Sequence, residues 1–306
     1  MKERIRQAII AAGAVAVGFA KAEPVDPSAM EEYAGWIGEG KHAGMDYLRR
    51  HEELKRDPSS VMEDVRTVIS AAFSYAPAML RDENLPVIAT YAYGLDYHDV
   101  LRRRLAEVVE TLRSELGGNW RICIDSAPLP ERYWAMKSGI GRKGKNGSVI
   151  VDNFGSYIFL AEILTSHSVA PDAARGESCM NCGACVKACP GKALSEDGTI
   201  DARRCINYLT IEHRGEWTGE GLEVMNTAIG KRSLYGCDIC QSVCPHNRGI
   251  PPTSIPEFQP SPEILGLTGK QVEEMDQAAF SRLFKGMAIK RAKLDGILRN
   301  ARNLKT

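Results

Sequence analysis

Short apolar runs rich in β-branched residues alternate with amphipathic stretches over about the first 170 residues. Such runs predict strands, because continuous or alternating apolar positions suit a sheet that is covered on one or both faces. Residues 97–116 carry Leu and Val on one stripe at helical spacing, which predicts a long amphipathic helix. The predicted strands are 67–73, 87–91, 120–124, 148–151 and 157–164. The pattern favours a mixed α/β (α+β) domain.

The N-terminus allows two interpretations. Its basic start, the apolar run over 8–20 and the triplet Ala20-Lys21-Ala22 together resemble a secretory signal. The alternative is an amphipathic helix over 2–12, a turn at Gly13 and a buried strand over 14–19. We favour this folded alternative, because glycines punctuate the run and no stop-transfer segment follows it. The sequence accordingly predicts a cytoplasmic protein without a membrane segment.

The pattern changes after residue 170. A short hydrophilic stretch at 171–178 leads into a cysteine-rich module that ends near residue 247. Pro-rich chain follows, and the last segment, 269–306, is basic and has helical periodicity. Its cations are Arg282, Lys285, Lys290, Arg291, Lys293, Arg299, Arg302 and Lys305. We therefore expect an α/β domain, a cysteine-rich domain, and a Pro-rich segment with a short helical basic tail, at 1–170, 171–250 and 251–306.

Charge balance narrows the possible partners. The 306 residues include 39 Lys and Arg and 39 Asp and Glu, so the formal net charge is zero. A protein that coats nucleic acid through bulk charge is excluded, and binding of nucleic acid must use a local patch. The basic tail offers such a patch, although a solvated helix face is the alternative for the same residues.

The cysteines are the strongest chemical signal in the sequence. Eight of the nine lie between Cys179 and Cys244. The first run, CxxCxxCxxxCP, matches bacterial ferredoxins, in which three cysteines hold one cluster and the fourth reaches a second cluster. The later run, CxxCxxxCP from Cys237, is one cysteine shorter, and Cys205 can supply the missing thiolate. Eight thiolates suffice for two [4Fe–4S] clusters. The ferredoxin pattern predicts one set of Cys179, Cys182, Cys185 and Cys244, and another of Cys189, Cys205, Cys237 and Cys240.

Other uses of these cysteines are less consistent with their spacing. Tetrahedral zinc sites also use paired CxxC motifs, but they rarely need the longer first run. Disulfides are disfavoured by the predicted cytoplasmic location. Cys123, the ninth cysteine, lies in an apolar predicted strand, and we expect it in the core. Iron–sulfur clusters move single electrons, so the α/β domain should hold whatever those electrons reduce.

Asp125 is the candidate catalytic residue of that domain. It follows the predicted strand 120–124 and precedes Ser126-Ala127-Pro128, which breaks the strand. Ligands of open α/β sheets bind at such strand ends, and a carboxyl group among apolar residues can act as a general acid through a raised pKa. The alternative is an Asx-type cap of the following helix. No GxGxxG motif follows a predicted strand and no Walker A motif is present, so neither a nicotinamide nor an ATP site is predicted.

Several motifs together resemble those of the epoxyqueuosine reductase family, whose members complete queuosine in tRNA. The resemblance covers nearly the whole chain and includes both cysteine runs with Cys205. The other matching stretches are YAYGLDYH at 91–98, DSAPLPER at 125–132, GIG at 139–141, GKN at 144–146, GSY at 155–157, YGCDICQ at 235–241, FKGMAIKR at 284–291 and LRN at 298–300.

The resemblance implies a base-off cobalamin held between the α/β domain and a ferredoxin-like domain, with Asp125 as proton donor. The sequence also lacks the Asp-x-His-x-x-Gly motif of His-ligated cobalamin, because the stretch that begins at Asp96 has Leu101 in place of Gly. The cofactor contacts of the family fall at Arg56, Ala89, Asp125, Val149, Leu160, Asn207, Asp238 and Ile239.

The resemblance further implies that the epoxide of epoxyqueuosine, at the wobble position of tRNA, is reduced to queuosine. Electrons would pass singly from a small donor protein of flavodoxin or ferredoxin type, through both clusters, to cobalamin. The implied partner is the tRNA anticodon stem-loop, and we expect a monomer. Many members continue into a HEAT-like helical domain, whereas this chain stops just after 298–300, so we expect His213, Arg214 and the basic tail to contribute more to tRNA binding.

Three alternatives remain open at this point. A reductive dehalogenase pairs the same cofactors, but it would favour a Tat signal and a small hydrophobic substrate. An electron-transfer subunit of ferredoxin type would not need an α/β domain of about 170 residues. A nucleic-acid-binding protein with purely structural clusters would be redox-silent.

Overall fold

In the computed structural model, which describes residues 1–176 and 179–304, the chain folds around a four-stranded antiparallel sheet. The strands are β1 (Ala16–Lys21), β2 (Thr67–Ser74), β3 (Val87–Ile88), β4 (Trp120–Cys123), β5 (Arg142–Lys143), β6 (Val149–Ile150), β7 (Ile158–Thr165) and β8 (Ser233–Tyr235). The helices are α1 (Lys2–Ala11), α2 (Pro27–Gly38), α3 (Asp46–Arg50), α4 (Tyr97–Leu116), α5 (Glu131–Lys137), α6 (Ala184–Ala188), α7 (Ile206–Ile211), α8 (Gly219–Met225), α9 (Ile239–Ser242), α10 (Pro262–Gly266), α11 (Gly269–Glu273), α12 (Gln277–Leu283) and α13 (Lys293–Arg302).

The main sheet has the strand order β1-β2-β7-β4, and helices cover both of its faces. Alternate residues of β2 point to opposite faces, so Ile69 packs with α1 and α4 while Val68 packs with α2 and α5. All eight residues of β2 are therefore buried. This explains the continuous apolar run that predicted the strand. The mixed α/β character is confirmed, but the sheet is antiparallel, so the rule for open parallel sheets does not account for the position of Asp125.

The N-terminal run folds as a helix followed by a strand, as the favoured interpretation predicts. Helix α1 packs on the sheet through Ile5 and Ile9, and β1 pairs antiparallel with β2. The predicted helix 97–116 is confirmed at both ends: Asp96 caps α4 by accepting the His98 N–H, and Gly117 ends it at a φ of +71°.

The predicted strand 87–91 is wrong beyond Ile88. Strand β3 pairs in parallel with β8 from the cysteine-rich region, and Ala89 adds one more bond to Tyr235 O. The next amide, Thr90 N, donates to the Asp238 carboxylate instead of continuing the ladder, and a short 3₁₀ helix follows. A side-chain acceptor therefore ends this strand.

Residues from all three predicted segments share hydrophobic clusters. Ile255 and Phe258 from the Pro-rich stretch pack into the cluster beside α1 and α4. Ile88 and Tyr93 pack with the C-terminal helices and Leu234. These contacts hold the segments together, and the division at 170 and 250 stays a prediction.

The C-terminal tail is a series of short helices rather than one basic face. Arg282, Lys285, Lys290, Arg291, Lys293 and Arg302 are exposed, whereas Lys305 lies outside the described residues. Arg299 is only 7% exposed and donates to Leu209 O, His213 O and Gly215 O. The Trp217 ring lies 4.4 Å from its guanidinium carbon. Counting Arg299 with the solvent-facing cations was therefore wrong.

Over residues 1–176 and 179–304, every helix is too short or too polar to span a lipid bilayer.

We predict that Arg299→Met lowers the free energy of unfolding by about 2 kcal/mol or more, because three carbonyls each lose a charged donor, although Leu209 O keeps a bond from Trp217 Nε1. Urea unfolding followed by circular dichroism measures this change. Arg302→Met, in the exposed last turn of the same helix, is the matched control and should alter stability by less than about 0.5 kcal/mol. Equal losses in the two variants would contradict a structural role for Arg299.

Candidate functional site

Asp125 lies two residues beyond β4 in a tight, strained turn. Its φ of +50° falls in the left-handed region that residues other than glycine rarely adopt. The Asp125 N–H donates to the carboxylate of Glu131, the first residue of α5, and the Ser126 N–H donates to Ile124 O. The Asp125 side chain is 59% exposed. Asp125 does not cap α5, whose N-cap is Pro130, so the Asx-cap alternative is wrong.

His98 bridges two carboxylates at this turn. Its Nδ1 lies 2.7 Å from Asp96 Oδ1, and its Nε2 lies 3.1 Å from Asp125 Oδ2. Tyr97 stacks on the imidazole on one side and on Phe159 on the other, with ring centroids 4.1 and 4.2 Å apart. The imidazole is therefore fixed in position by both polar and aromatic contacts.

Electrostatics assign the proton of this group to the histidine. Burial lowers the pKa of His98, but its hydrogen bonds to Asp125 and Asp96 outweigh burial and raise the pKa to about 9. For Asp125, burial raises the pKa, but the hydrogen bond and positive charge of His98 outweigh it and leave the pKa below its ordinary value. The expectation of a raised pKa at Asp125 is therefore wrong. The Asp96-x-His98 spacing at the start of a helix is the sequence signal for this partner, although the same spacing also begins a cobalamin motif.

A second carboxyl pair lies behind the turn. Glu162, on β7 opposite Cys123 of β4, is fully buried, and neither of its oxygens has a partner in hydrogen-bonding geometry among residues 1–176 and 179–304. Glu131 is its acidic neighbour. Lys55 donates to Leu129 O at 3.4 Å and is the cation beside Glu131. Sequence reasoning missed these three groups, because nothing local in the sequence marks Glu162 or Lys55.

The eight clustered cysteines surround two separate cavities. A cavity of about 210 Å³ is lined by Cys189, Cys205, Cys237 and Cys240, and a smaller one by Cys179, Cys182, Cys185 and Cys244. All eight are free thiols. No three His, Cys, Asp or Glu side chains within 1–176 and 179–304 are close enough to hold a single metal ion. Each group of four is thus arranged around a space.

The two groups differ in burial. Cys182 of the smaller cavity is exposed, and the neighbouring Met180 is 64% exposed. In the larger cavity, burial raises the pKa of Cys237 to about 12 and raises the pKa of Cys205. The larger cavity therefore lies deeper in the protein than the smaller one.

Half of the predicted cofactor contacts meet around Gly236. A Cβ built there would lie 2.5 Å from Ala89 Cβ and 3.0 Å from Asn207 Oδ1, so this position needs glycine. Asp238 accepts from Thr90 N at 2.6 Å, and Ile239 lines the larger cysteine cavity beside Asn207.

The remaining predicted contacts lie elsewhere. Val149 and Leu160 pack together in a separate apolar cluster on the sheet. Arg56 forms ion pairs with Glu52 and Glu53. Among residues 1–176 and 179–304, its side chain makes no hydrogen bond or ion pair with the other predicted contacts. Cys123 is buried in the core, as expected.

His213 and Arg214 follow α7 beside the exposed cations of the tail. Arg214 donates to Ile211 O and to Arg291 O, and Arg291 forms a two-point ion pair with Glu212. The positive charge of Arg291 also acts on Asp125. The structure thus brings the predicted tRNA contacts and the candidate acid to neighbouring parts of one surface.

Two family models match the chain. The model described as "Epoxyqueuosine reductase QueG, DUF1730" matches residues 55–126, and the model of a 4Fe-4S double cluster binding domain matches residues 178–247. The first range contains Asp96, His98 and Asp125, and the second contains all eight clustered cysteines.

Similar proteins share this arrangement over nearly the whole chain. An epoxyqueuosine reductase of Cellulophaga algicola is 34% identical over 304 residues, which cover 97% of each chain. A crystal structure of epoxyqueuosine reductase with an epoxyqueuosine-modified tRNA-Tyr stem loop superimposes with a TM-score of 0.87, at 29% identity, over 98% of this chain and 79% of that one. A Bacillus subtilis epoxyqueuosine reductase, with its catalytic aspartate loop swung out of the active site, gives 0.85 at 29% identity over 98% and 79%.

We predict that Asp96→Asn lowers the pKa of His98 by at least about one unit, because a hydrogen-bonded negative charge is removed. Histidine ring resonances in an NMR pH titration measure this pKa. Asp99→Asn is the control, because Asp99 lies in the same first turn of α4 and its carboxylate pairs with Arg102. An unchanged pKa in Asp96→Asn would refute the assignment of His98 as the proton-holding group.

Proposed function

We propose, because the chain belongs to the epoxyqueuosine reductase family, that it reduces the epoxide of epoxyqueuosine at the wobble position of tRNA to queuosine. The reaction consumes two electrons and two protons, converts the epoxide to an alkene and releases the oxygen as water. The observation that carries the proposal is similarity over 97% of both chains to a protein of this activity. The chain is accordingly an oxidoreductase.

The double-cluster domain binds two [4Fe–4S] clusters. For their ligands, we propose the two groups of four cysteines that line the two cavities. The fit is supported by their number and by the chemistry of thiolates, which are the usual ligands of such clusters. The smaller cavity lies nearer the solvent, as entry of electrons from a small donor protein of flavodoxin or ferredoxin type requires.

We also propose cobalamin as the group that faces the substrate, held by residues around Gly236. Four of the predicted contacts, Ala89, Asn207, Asp238 and Ile239, are brought together there, which supports a shared binding surface. Both ring nitrogens of His98 are engaged by carboxylates, so His98 would not be available to bind this group. When bound, cobalamin supplies the reducing chemistry that opens a carbon–oxygen bond. Arg56, Val149 and Leu160 remain weaker members of this proposal.

The chain's own contribution to the reaction is proton delivery. At neutral pH the raised pKa of His98 keeps the imidazolium protonated, and the lowered pKa of Asp125 keeps the carboxylate ionised. A proton shared in the hydrogen bond between His98 Nε2 and Asp125 Oδ2 can reach the epoxide oxygen as negative charge develops there. Asp125 is then the donor and His98 its proton source.

We propose that the tRNA anticodon stem-loop binds across His213, Arg214 and the exposed cations of the tail. A relative crystallised with such a stem loop supports this partner. A base in an anticodon loop can be turned out into a pocket without opening a duplex. In the B. subtilis relative the catalytic aspartate loop is swung out, and we infer that the loop of Asp125 also opens and closes.

Paired cysteine substitutions test the ligand sets. Cys182→Ser with Cys244→Ser removes ligands from one proposed cluster, so about four of eight iron atoms should remain, whereas Cys182→Ser with Cys189→Ser should lose both clusters. Iron analysis after anaerobic purification measures this, with Cys123→Ser as the control that keeps about eight. The reverse result for the two pairs would mean that ligands follow sequence order and would overturn the proposed sets.

We predict that Asp125→Ala slows turnover by at least about a hundredfold, because the general acid is lost. Conversion of epoxyqueuosine to queuosine in tRNA is measured by mass spectrometry of digested nucleosides, with cobalamin and a reductant supplied. Asp99→Ala is the control. Asp125→Ala should retain about eight iron atoms and about one cobalt atom per chain. Unimpaired turnover would remove Asp125 from the mechanism, and a wild-type protein inactive on this tRNA would refute the function.

A further inference from the structure

We propose that Glu131, supported from behind by Glu162, is the latch that holds the Asp125 loop in its closed, catalytic position. Glu131 is thus a positioning residue, and the pair of carboxyl groups makes loop closure depend on pH. The inference rests on the proposed role of Asp125 as proton donor. It concerns two acids to which the mechanism above assigns no part.

The first observation is a backbone hydrogen bond at the strained residue itself. The Asp125 N–H donates to Glu131 Oε1 across six residues, and Asp125 has a positive φ. A strained conformation of this kind persists only where the surrounding structure holds it. Beyond the Asp125 turn, two short contacts, Leu129 N to Ala127 O and Glu131 N to Leu129 O, lead the chain directly into α5. Glu131 therefore stands at the end of the loop, and its side chain binds the backbone at the start of the loop.

The second observation is the burial of Glu162 without a partner. It lies in the central strand β7, paired with Ser70 on one side and Cys123 on the other, and is 0% exposed. A buried carboxylate without hydrogen bonds is costly, so the group stays protonated. A protonated Glu162 can donate to Glu131, which leaves the other oxygen of Glu131 to accept from Asp125.

Charge around the latch gives it a pH dependence. The titratable groups that interact with Glu131 or Glu162 are Asp125, Lys55, Tyr97 and Cys123. Burial and the negative charge of Asp125 raise the pKa of Glu131 to about 8, and burial with the charge of Glu131 raises the pKa of Glu162 well above its ordinary value. Ionisation of Glu131 places a second negative charge beside the Asp125 carboxylate. Rising pH should therefore weaken closure of the loop.

The raised pKa of Glu131 also makes the stability of the folded protein depend on pH. Between pH 4.5 and about 8 the folded protein keeps a proton on Glu131 that the unfolded chain has released. Stability from this group is complete below that window and is lost as pH rises through it. Glu131→Gln cannot ionise, so it should remove this part of the pH dependence of the melting temperature. Its amide oxygen still accepts from Asp125 N.

Hydrogen–deuterium exchange of the cluster-loaded full chain tests the latch independently of catalysis. In Glu131→Met, exchange over 124–131 should rise at least about tenfold, the fold-change that corresponds to about 1.4 kcal/mol for a lost hydrogen bond. Turnover should fall by a similar factor with a smaller change in KM for tRNA. Glu131→Gln should restore protection, and Glu107→Gln, an exposed acid of α4, is the matched control. Protection in Glu131→Met equal to that of the control would overturn the proposal.

If Glu131→Met does not fold, the pH dependence of exchange in the wild type and in Glu131→Gln tests the latch instead. After correction for the chemical exchange rate, wild-type exchange over 124–131 should increase between pH 7 and pH 9, and that of Glu131→Gln should not. Identical pH dependence in both would refute the latch. Failure of the proposed function is distinguishable, because turnover retained in Asp125→Ala removes the catalytic role while the exchange measurement still reports loop position.

Discussion

The cysteine-rich region depends on polar side chains that arrive from the end of the chain. Its own hydrophobic cluster is small and consists of Ile206, Leu209, Trp217, Val224 and Met225 with a few partly buried neighbours. Buried carbonyls of α7 and β8 therefore need donors, and α13 supplies them. Asn300 is fully buried and donates to Thr210 O and Leu234 O, while Arg299 satisfies three further carbonyls. Since an unsatisfied buried carbonyl costs about 1–3 kcal/mol, these two side chains hold the deeper cysteine cavity in shape.

The candidate site combines groups whose electrostatic roles differ because their surroundings differ. Asp125 and Glu131 are six residues apart and joined by one hydrogen bond, yet the pKa of Asp125 is lowered and that of Glu131 is raised. Burial raises the pKa of Asp125, but the hydrogen bond and positive charge of His98 lower it by more. Burial and the negative charge of Asp125 both raise the pKa of Glu131. One ionised and one protonated carboxyl group thus lie side by side, so that one can exchange protons with substrate while the other holds the loop.

Much of the fold was predictable because its signals are local. Helix α4 has an amphipathic stripe and a capping Asp, and β2 and β7 consist mostly of apolar residues. Prediction was wrong where a distant group intervened. Asp238 ends the strand after Ile88. Arg299 is buried because backbone carbonyls and the Trp217 ring bind its guanidinium group. Both errors arose at contacts between residues more than 80 positions apart, which no local pattern encodes.

The sequence by itself determined the mixed α/β character, the family resemblance and the capacity for two clusters, because cysteine spacing and hydrophobic periodicity are properties of short segments. Only the tertiary structure decided that His98 holds the proton near Asp125 and that Glu162 lies unpartnered behind Glu131. Each cysteine cavity, by contrast, is lined by four cysteines that the ferredoxin spacing already groups together. A pKa depends on burial and on charges within a few ångströms, and these are set by how α4, α5, β4 and β7 pack.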